Sequence, residues 1–168
     1  HSLLVIRHGY IVSETYFASQ DRDTRHELYS CTKSFVSTLA GMAIDQGDVE
    51  GIDHRVLDYF PGYTFAKSDA RKEAMTVEHL LTMTTGLDWQ EGDPAYRAMY
   101  MSRDWVQYVL DMPMREQPGE RFNYCSGCSH VLAGVVQKGT GSKLQDYARK
   151  NLFQPLGITN WRWDTDAK

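Results

Sequence analysis

Apolar and polar positions follow two different periods along this chain, and the change between them falls near Ser30. Residues 2–17, SLLVIRHGYIVSETYF, hold a continuous apolar run from Leu3 to Ile6. A second apolar set, Ile11-Val12 with Tyr16-Phe17, lies beyond His8-Gly9. Short apolar runs on either side of a glycine-containing dipeptide predict two strands and a turn. A polar loop, ASQDRDTRHE, comes next. From Ser30 the spacing turns helical, with Phe35, Leu39, Met42 and Ala43 on one stripe that Val36 and Ala40 widen. Gly47, after Gln46, predicts the end of that helix, because glycine accepts the left-handed conformation of a C-terminal cap.

Past it, VEGIDHRVLDYFPGY reads as a loop with a short helical piece stopped at Pro61-Gly62. Thr76 opens a helix through TVEHLLTMTTG that Gly86 closes, and AYRAMYMSRDWVQYVLDMP holds one or two more before Pro113. Pro118-Gly119 turns the chain into RFNYCSG, and a helix through SHVLAGVVQK ends at Gly139. Ser142-Lys-Leu-Gln145 has the form of a capping box for a last helix running to about Leu152, before Pro155. No internal repeat and no low-complexity linker interrupts this order.

Two strands against about six helices is an unbalanced inventory. An isolated hairpin is marginal in water, and this one has apolar residues on both strands that need cover. The expectation is an α/β (α+β) chain forming one part of a larger fold. Residues 1–29 are the sheet hairpin and its loop, and residues 30–168 are a mostly helical region. Further strands would come from missing C-terminal residues or from a second chain; the alternative is that the last helices cover the hairpin.

A content of 42% hydrophobic and 24% charged residues fits a globular protein that buries a core. The net charge of −4 argues against nucleic acid or an anionic membrane surface as the main partner. No apolar run approaches the length of a membrane span. The chain opens on His1, which leaves the compartment open between periplasmic or secreted and cytoplasmic. The three cysteines, Cys31, Cys125 and Cys128, are too few and too odd in number for a disulfide framework. A structural zinc site needs four ligands, usually as two pairs, and the Cys125–Cys128–His130 run has no second pair. Small buried thiols are the favoured reading; a bridge from Cys31 to Cys125 or Cys128 is the alternative, and no metal is expected.

Chemistry enters with YSCTKSF. On a helix, Ser30 and Lys33 share a face, and Ser30 lies near unpaired N–H groups at the positive end of the helix dipole. A lysine among Phe35, Val36 and their neighbours loses hydration, which favours the neutral amine and makes it a usable base for a serine nucleophile. The plain alternative is a capping serine beside a lysine that snorkels to solvent, and about one Ser-x-x-Lys arises by chance in a chain this long. A second group is Tyr124-Cys125-Ser126, in a loop between a Pro-Gly turn and a helix. A tyrosine beside a lysine can relay a proton to a leaving group, and Ser126 can hydrogen-bond a substrate carbonyl or Lys33. Trp89, just after Gly86-Leu-Asp, is a candidate for lining the cleft, with core packing as the alternative. The histidines show no metal spacing, and there is no nucleophile elbow or phosphate-binding glycine loop.

YSCTKSF, TVEHLLTMTTGLDW, GERFNYCSG and TGSKLQDYARKNLFQPLGITNWRWD, in that order, resemble the serine β-lactamase and penicillin-binding protein superfamily. The nearest branch holds class C-like β-lactamases, family VIII esterases, D-amino-acid peptidases and 6-aminohexanoate-oligomer hydrolases. The opening hairpin resembles that family's first hairpin too, so the likeness runs along nearly the whole chain. It implies a β-lactamase/transpeptidase-like fold, with an antiparallel sheet flanked by helices plus a helical region. It also implies acyl transfer on an amide or ester without a cofactor, with Ser30 as nucleophile, Lys33 as its base partner and Tyr124 as second base and acid. Two departures stand out. Ser126 sits where many members carry asparagine, and the family's third triplet, Lys-Thr-Gly or His-x-Gly on a later strand, is not in this sequence. The family fold is about twice this length, in agreement with the strand deficit. Two other functional readings remain beside it, a non-hydrolytic penicillin-binding sensor and a Cys125/Cys128 redox or metal module.

Overall fold

In a computed structural model, which describes residues 1–65, 69–92 and 94–165, the chain begins as a hairpin. Strand β1 (Ser2–Arg7) pairs antiparallel with β2 (Tyr10–Tyr16), with an irregularity between Val5 and Ile6. His8 and Gly9, at φ 51° and 79°, make the two-residue turn, whose positive φ angles suit the right-handed twist of the flanking strands. The apolar side chains of both strands are uncovered: Ile6 and Ile11 are 61% and 58% exposed.

Six α-helices follow among the described residues: α1 (Thr32–Asp45), α2 (Val77–Leu81), α3 (Pro94–Met101), α4 (Trp105–Leu110), α5 (Ser126–Thr140) and α6 (Leu144–Ala148). The core lies around α5, which packs against α1, α2, α4 and α6. Its Val131, Val135 and Val136 are fully buried, as are Leu39, Ala40 and Ala43 of α1 and Val109 and Leu110 of α4. This is the stripe that the helical spacing of α1 predicts. Gly127 permits a close approach on α5, since a Cβ there would stand 2.6 Å from Val109 Cγ2 and 2.8 Å from Trp89 Cζ3.

Helix ends depart from the sequence expectation where a stop is made without its usual residue. The end of α1 is as predicted: Gly47 is left-handed, and Asp48 N and Gly47 N donate to Ala43 O and Ile44 O. Helix α2 stops well before Gly86. It ends in the same pair of bonds, Thr84 N to His79 O and Met83 N to Leu80 O, but with Met83 at φ 56° in the glycine position. Helix α5 runs one residue past Gly139, because the missing Cβ admits the Asp48 carbonyl, and turns at Gly141 instead. Ser142 does not cap α6. The α6 N-cap is Lys143, and the first helical N–H, Leu144 N, is taken by Gln137 Oε1 at 3.0 Å.

Between α2 and α5 the backbone is stitched to itself. Gly86 O accepts from Arg115 N and Glu116 N, Asp88 N donates to Pro113 O, Gly119 N to Thr84 O, and Asn123 N to Met83 O. Asn123 Nδ2 adds a bond to Trp89 O at 2.8 Å. These bonds carry residues 87–91 to the start of α5. Gly86 is the pivot, at φ 77°, and any Cβ would collide with the Glu116 carbonyl oxygen. Left-handed backbone costs an L-residue about 1–2 kcal/mol, and overpacking against rigid backbone adds about 1–3. Gly86→Ala therefore lowers stability by about 2–5 kcal/mol, measurable as a lower urea midpoint in the full chain.

One core residue had no sequence signal. Lys72, in the polar run ARKEA, is 2% exposed. Its Nζ donates to Leu110 O at 2.6 Å and lies 5.0 Å from the centre of the Phe65 ring. Burial pushes its pKa down, against the opposing charges of Asp111 and Asp69. Its partners are a carbonyl and an aromatic face, which suits a structural ammonium.

Candidate active site

Ser30 stands just outside α1 rather than in it. Tyr29 is left-handed at φ 44°, and Tyr29–Cys31 form a single tight turn in which Cys31 N donates to Leu28 O. Such a turn satisfies amides that a helix start leaves unpaired, and it shows the Ser30 side chain to solvent. Lys33, in the first turn of α1, folds back so that its Nζ lies 3.0 Å from Ser30 Oγ. It is half-buried rather than enclosed. The same Nζ lies 4.9 Å from the centre of the Tyr124 ring, across roughly ninety residues of sequence.

Tyr124 is held toward its phenolate. Hydrogen bonding to Ser30, then to Lys33, lowers its pKa from the ordinary phenol value, with the Lys33 charge acting the same way. Burial and the Glu91 charge oppose this. Tyr96 goes the other way: burial first, then its bond to Tyr100, raise it to about 12. Two tyrosines near one carboxylate thus hold opposite protonation tendencies, and of the two Tyr124 is the one whose surroundings favour the phenolate.

Ser126 is the first residue of α5, and its surroundings were not foreseen. Its Oγ lies 2.5 Å from Glu91 Oε1, and its backbone N donates to Glu91 Oε2 at 3.1 Å. Trp89 Nε1 donates to the same Oε2 at 2.6 Å. Trp89 itself is 2% exposed, seated on Gly127, so it meets the site through Glu91 and presents almost no surface of its own. Burial by itself would raise the Glu91 pKa. The bonds from Ser126 and Trp89, helped by the Lys33 charge, outweigh that and lower it. The carboxylate also sits on unpaired N–H groups at the start of a 15-residue helix, where the dipole favours an anion. Glu91 was missing from the sequence reading; the signal was an acid two residues beyond the singled-out Trp89, in DWQEGD.

Tyr96 and Tyr100 continue an edge-to-face row from Trp89 to Trp105 and His130. Trp161 and Trp163 pack instead on Phe153, away from it. The expectation of small buried thiols is corrected for all three cysteines. Cys125 and Cys128, both buried, are joined in a disulfide that encloses Ser126, because the first turn of α5 brings their side chains together. Cys31 is exposed and free, so it bridges to neither. Among the described residues, no group of three or more His, Cys, Asp and Glu side chains is placed to hold a metal ion, and no helix is long and apolar enough to cross a membrane.

Comparison with known proteins adds to this geometry. The family model described as Beta-lactamase matches residues 1–168. Penicillin-binding protein 4 of Amycolatopsis lactamdurans is 30% identical over 142 residues, which are 81% of this chain and 35% of that protein. The 6-aminohexanoate-dimer hydrolase of Paenarthrobacter ureafaciens is 28% identical in an alignment of 170 positions, gaps included, that covers 92% of this chain and 42% of the relative. Among solved structures, EstCE1, a hydrolase with promiscuous acyltransferase activity, superposes with a TM-score of 0.72 at 23% identity, over 93% of this chain and 46% of that one. That likeness is one of fold: the β-lactamase/transpeptidase-like arrangement of helices and antiparallel strands. The chain spans less than half the length of these curated relatives.

Proposed function

Because the chain belongs to the Beta-lactamase family, we propose that it carries the nucleophile of a serine hydrolase that works through an acyl-enzyme. The observation that carries this reading is the 3.0 Å contact of Ser30 Oγ with Lys33 Nζ, with the same Nζ 4.9 Å from the centre of the Tyr124 ring. Ser30 Oγ attacks the carbonyl carbon of an amide or ester, and its proton passes to the Lys33–Tyr124 pair. The carbon–nitrogen or carbon–oxygen bond then breaks as Tyr124 returns that proton to the leaving group. Water releases the acyl group by the same steps in reverse roles. The Ser30 N–H supplies one donor to the developing oxyanion. The chemistry needs no metal or organic cofactor.

A β-lactam, a D-amino-acid peptide, a short ester and a linear oligoamide all suit this reaction. The uncovered hairpin is the seat for further strands, supplied by residues outside 1–168 or by a second chain. The family's third triplet and a second oxyanion donor would arrive with them. Treating the full-length protein with a fluorophosphonate and weighing it tests the reading. A single adduct on Ser30 is expected, and an intact protein left unlabelled would remove the serine-enzyme assignment. A β-lactam adduct that persists without turnover would point to a sensor instead.

A further inference from the structure

We propose that Glu91 makes Ser126 a hydrogen-bond acceptor only, so that the site prefers acyl groups carrying an N–H over those that offer only acceptors. The inference rests on the acyl-enzyme reading above and deepens it toward substrate class.

Donor and acceptor capacity decides which groups Ser126 can serve. Trp89 Nε1 and Ser126 N have nothing but a hydrogen to offer, so Glu91 Oε2 accepts from both. Ser126 Oγ lies 2.5 Å from the other carboxylate oxygen. An ionised carboxylate has no proton to give, so the single hydroxyl hydrogen of Ser126 goes to Glu91. The net lowering of the Glu91 pKa agrees with an ionised group. What remains on Ser126 Oγ is a pair of lone pairs, made richer by the negative charge behind them. A substrate carbonyl meets repulsion there, whereas a substrate N–H finds a partner. An asparagine at this position could turn its amide to serve either group, but a serine tied to a carboxylate cannot. Glu91 acts through Ser126 and is a positioning residue. It is itself fixed by Trp89, by the start of α5 and by the Asn123 bond that holds Trp89 O.

A matched pair of substrates isolates the effect: the p-nitrophenyl esters of N-acetylglycine and of N-acetylsarcosine, which differ in one N–H. With the full chain, kcat/KM should favour the N–H ester by about tenfold, the scale of one hydrogen bond lost with its partner left unpaired. In Glu91→Gln the side-chain amide can donate to Ser126 Oγ and release the hydroxyl hydrogen, so the ratio should fall to within about threefold of unity. A merely structural loss would lower both rates and leave the ratio alone. Fluorophosphonate labelling of Ser30 and the unfolding midpoint are followed in both proteins. Labelled, folded enzymes with the same ratio in wild type and Glu91→Gln, or a wild type without preference for the N–H ester, overturn the proposal alone. Failure of Ser30 to label in the folded wild type overturns the acyl-enzyme reading, and this proposal with it.

Discussion

Ser30→Ala is expected to remove the fluorophosphonate adduct and to lower turnover by on the order of 10⁴-fold or more, since it deletes the oxygen that forms the acyl bond in the proposed reaction. The effect should be confined to chemistry. Ser30 lies exposed in a short turn outside α1, so losing its hydroxyl leaves no buried group unpaired. The unfolding midpoint should stay within the ~0.5 kcal/mol typical of surface changes. Retention of wild-type turnover by a folded Ser30→Ala enzyme would mean that the reaction does not pass through this serine. A strongly shifted midpoint would mean that the tight turn depends on the side chain.

Tyr124→Phe has the next largest effect, about 10²–10⁴-fold in the acylation rate, the usual worth of a positioned proton-transfer group. The pH profile separates this role from simple packing. With the Tyr124 pKa lowered by Ser30 and Lys33, the phenolate forms as pH rises through a value below the ordinary phenol range. The wild-type acylation rate should therefore climb with pH to a plateau reached at a lower pH than an ordinary phenol would give. Tyr124→Phe should lose this limb. Lys33→Ala removes two of the influences that lower Tyr124, a hydrogen bond and a nearby cation, and so should move the limb to higher pH while lowering the rate. If Tyr124→Phe keeps the wild-type limb, another group accepts the proton. If Lys33→Ala leaves the limb in place, the cation over the ring does not govern it.

The Cys125–Cys128 disulfide bears on both experiments, because it encloses Ser126 and begins one residue after Tyr124. The two bonded cysteines turn the loop that bears Tyr124 into part of the rigid start of α5. Rates measured under strong reductant would otherwise mix a loosened loop with a missing side chain, so comparisons belong under non-reducing conditions.

Several features of the fold were legible because they are local. The His8-Gly9 turn, the apolar stripe of α1 and the Gly47 stop each need only neighbouring residues to specify them. The misplaced features have local signals that tertiary contacts overrode. Gly86 reads as a helix stop, yet it is needed where the chain passes the Glu116 carbonyl, and Met83 takes the stop left-handed, with its carbonyl accepting from Asn123 N. Lys72 reads as solvated, yet it is enclosed beneath the Leu110 carbonyl, a partner 38 residues away.

The candidate site divides along the same line. By itself the sequence determined the family, the hairpin, the main helices and the approach of Ser30 to Lys33, because a spacing of three residues at a helix start brings side chains together whatever the rest of the chain does. Only the tertiary structure decided that Ser30 sits on a turn outside the helix and that Tyr124 lies beneath the Lys33 ammonium. It alone decided that Trp89 is buried and that Glu91 takes the hydroxyl of Ser126. The Ser30 turn is local, but its left-handed residue is Tyr29, which carries no turn signal. The contacts of Tyr124, Trp89 and Glu91 join residues more than thirty positions apart, and neither composition nor periodicity carries information over such distances. Packing around α5 does.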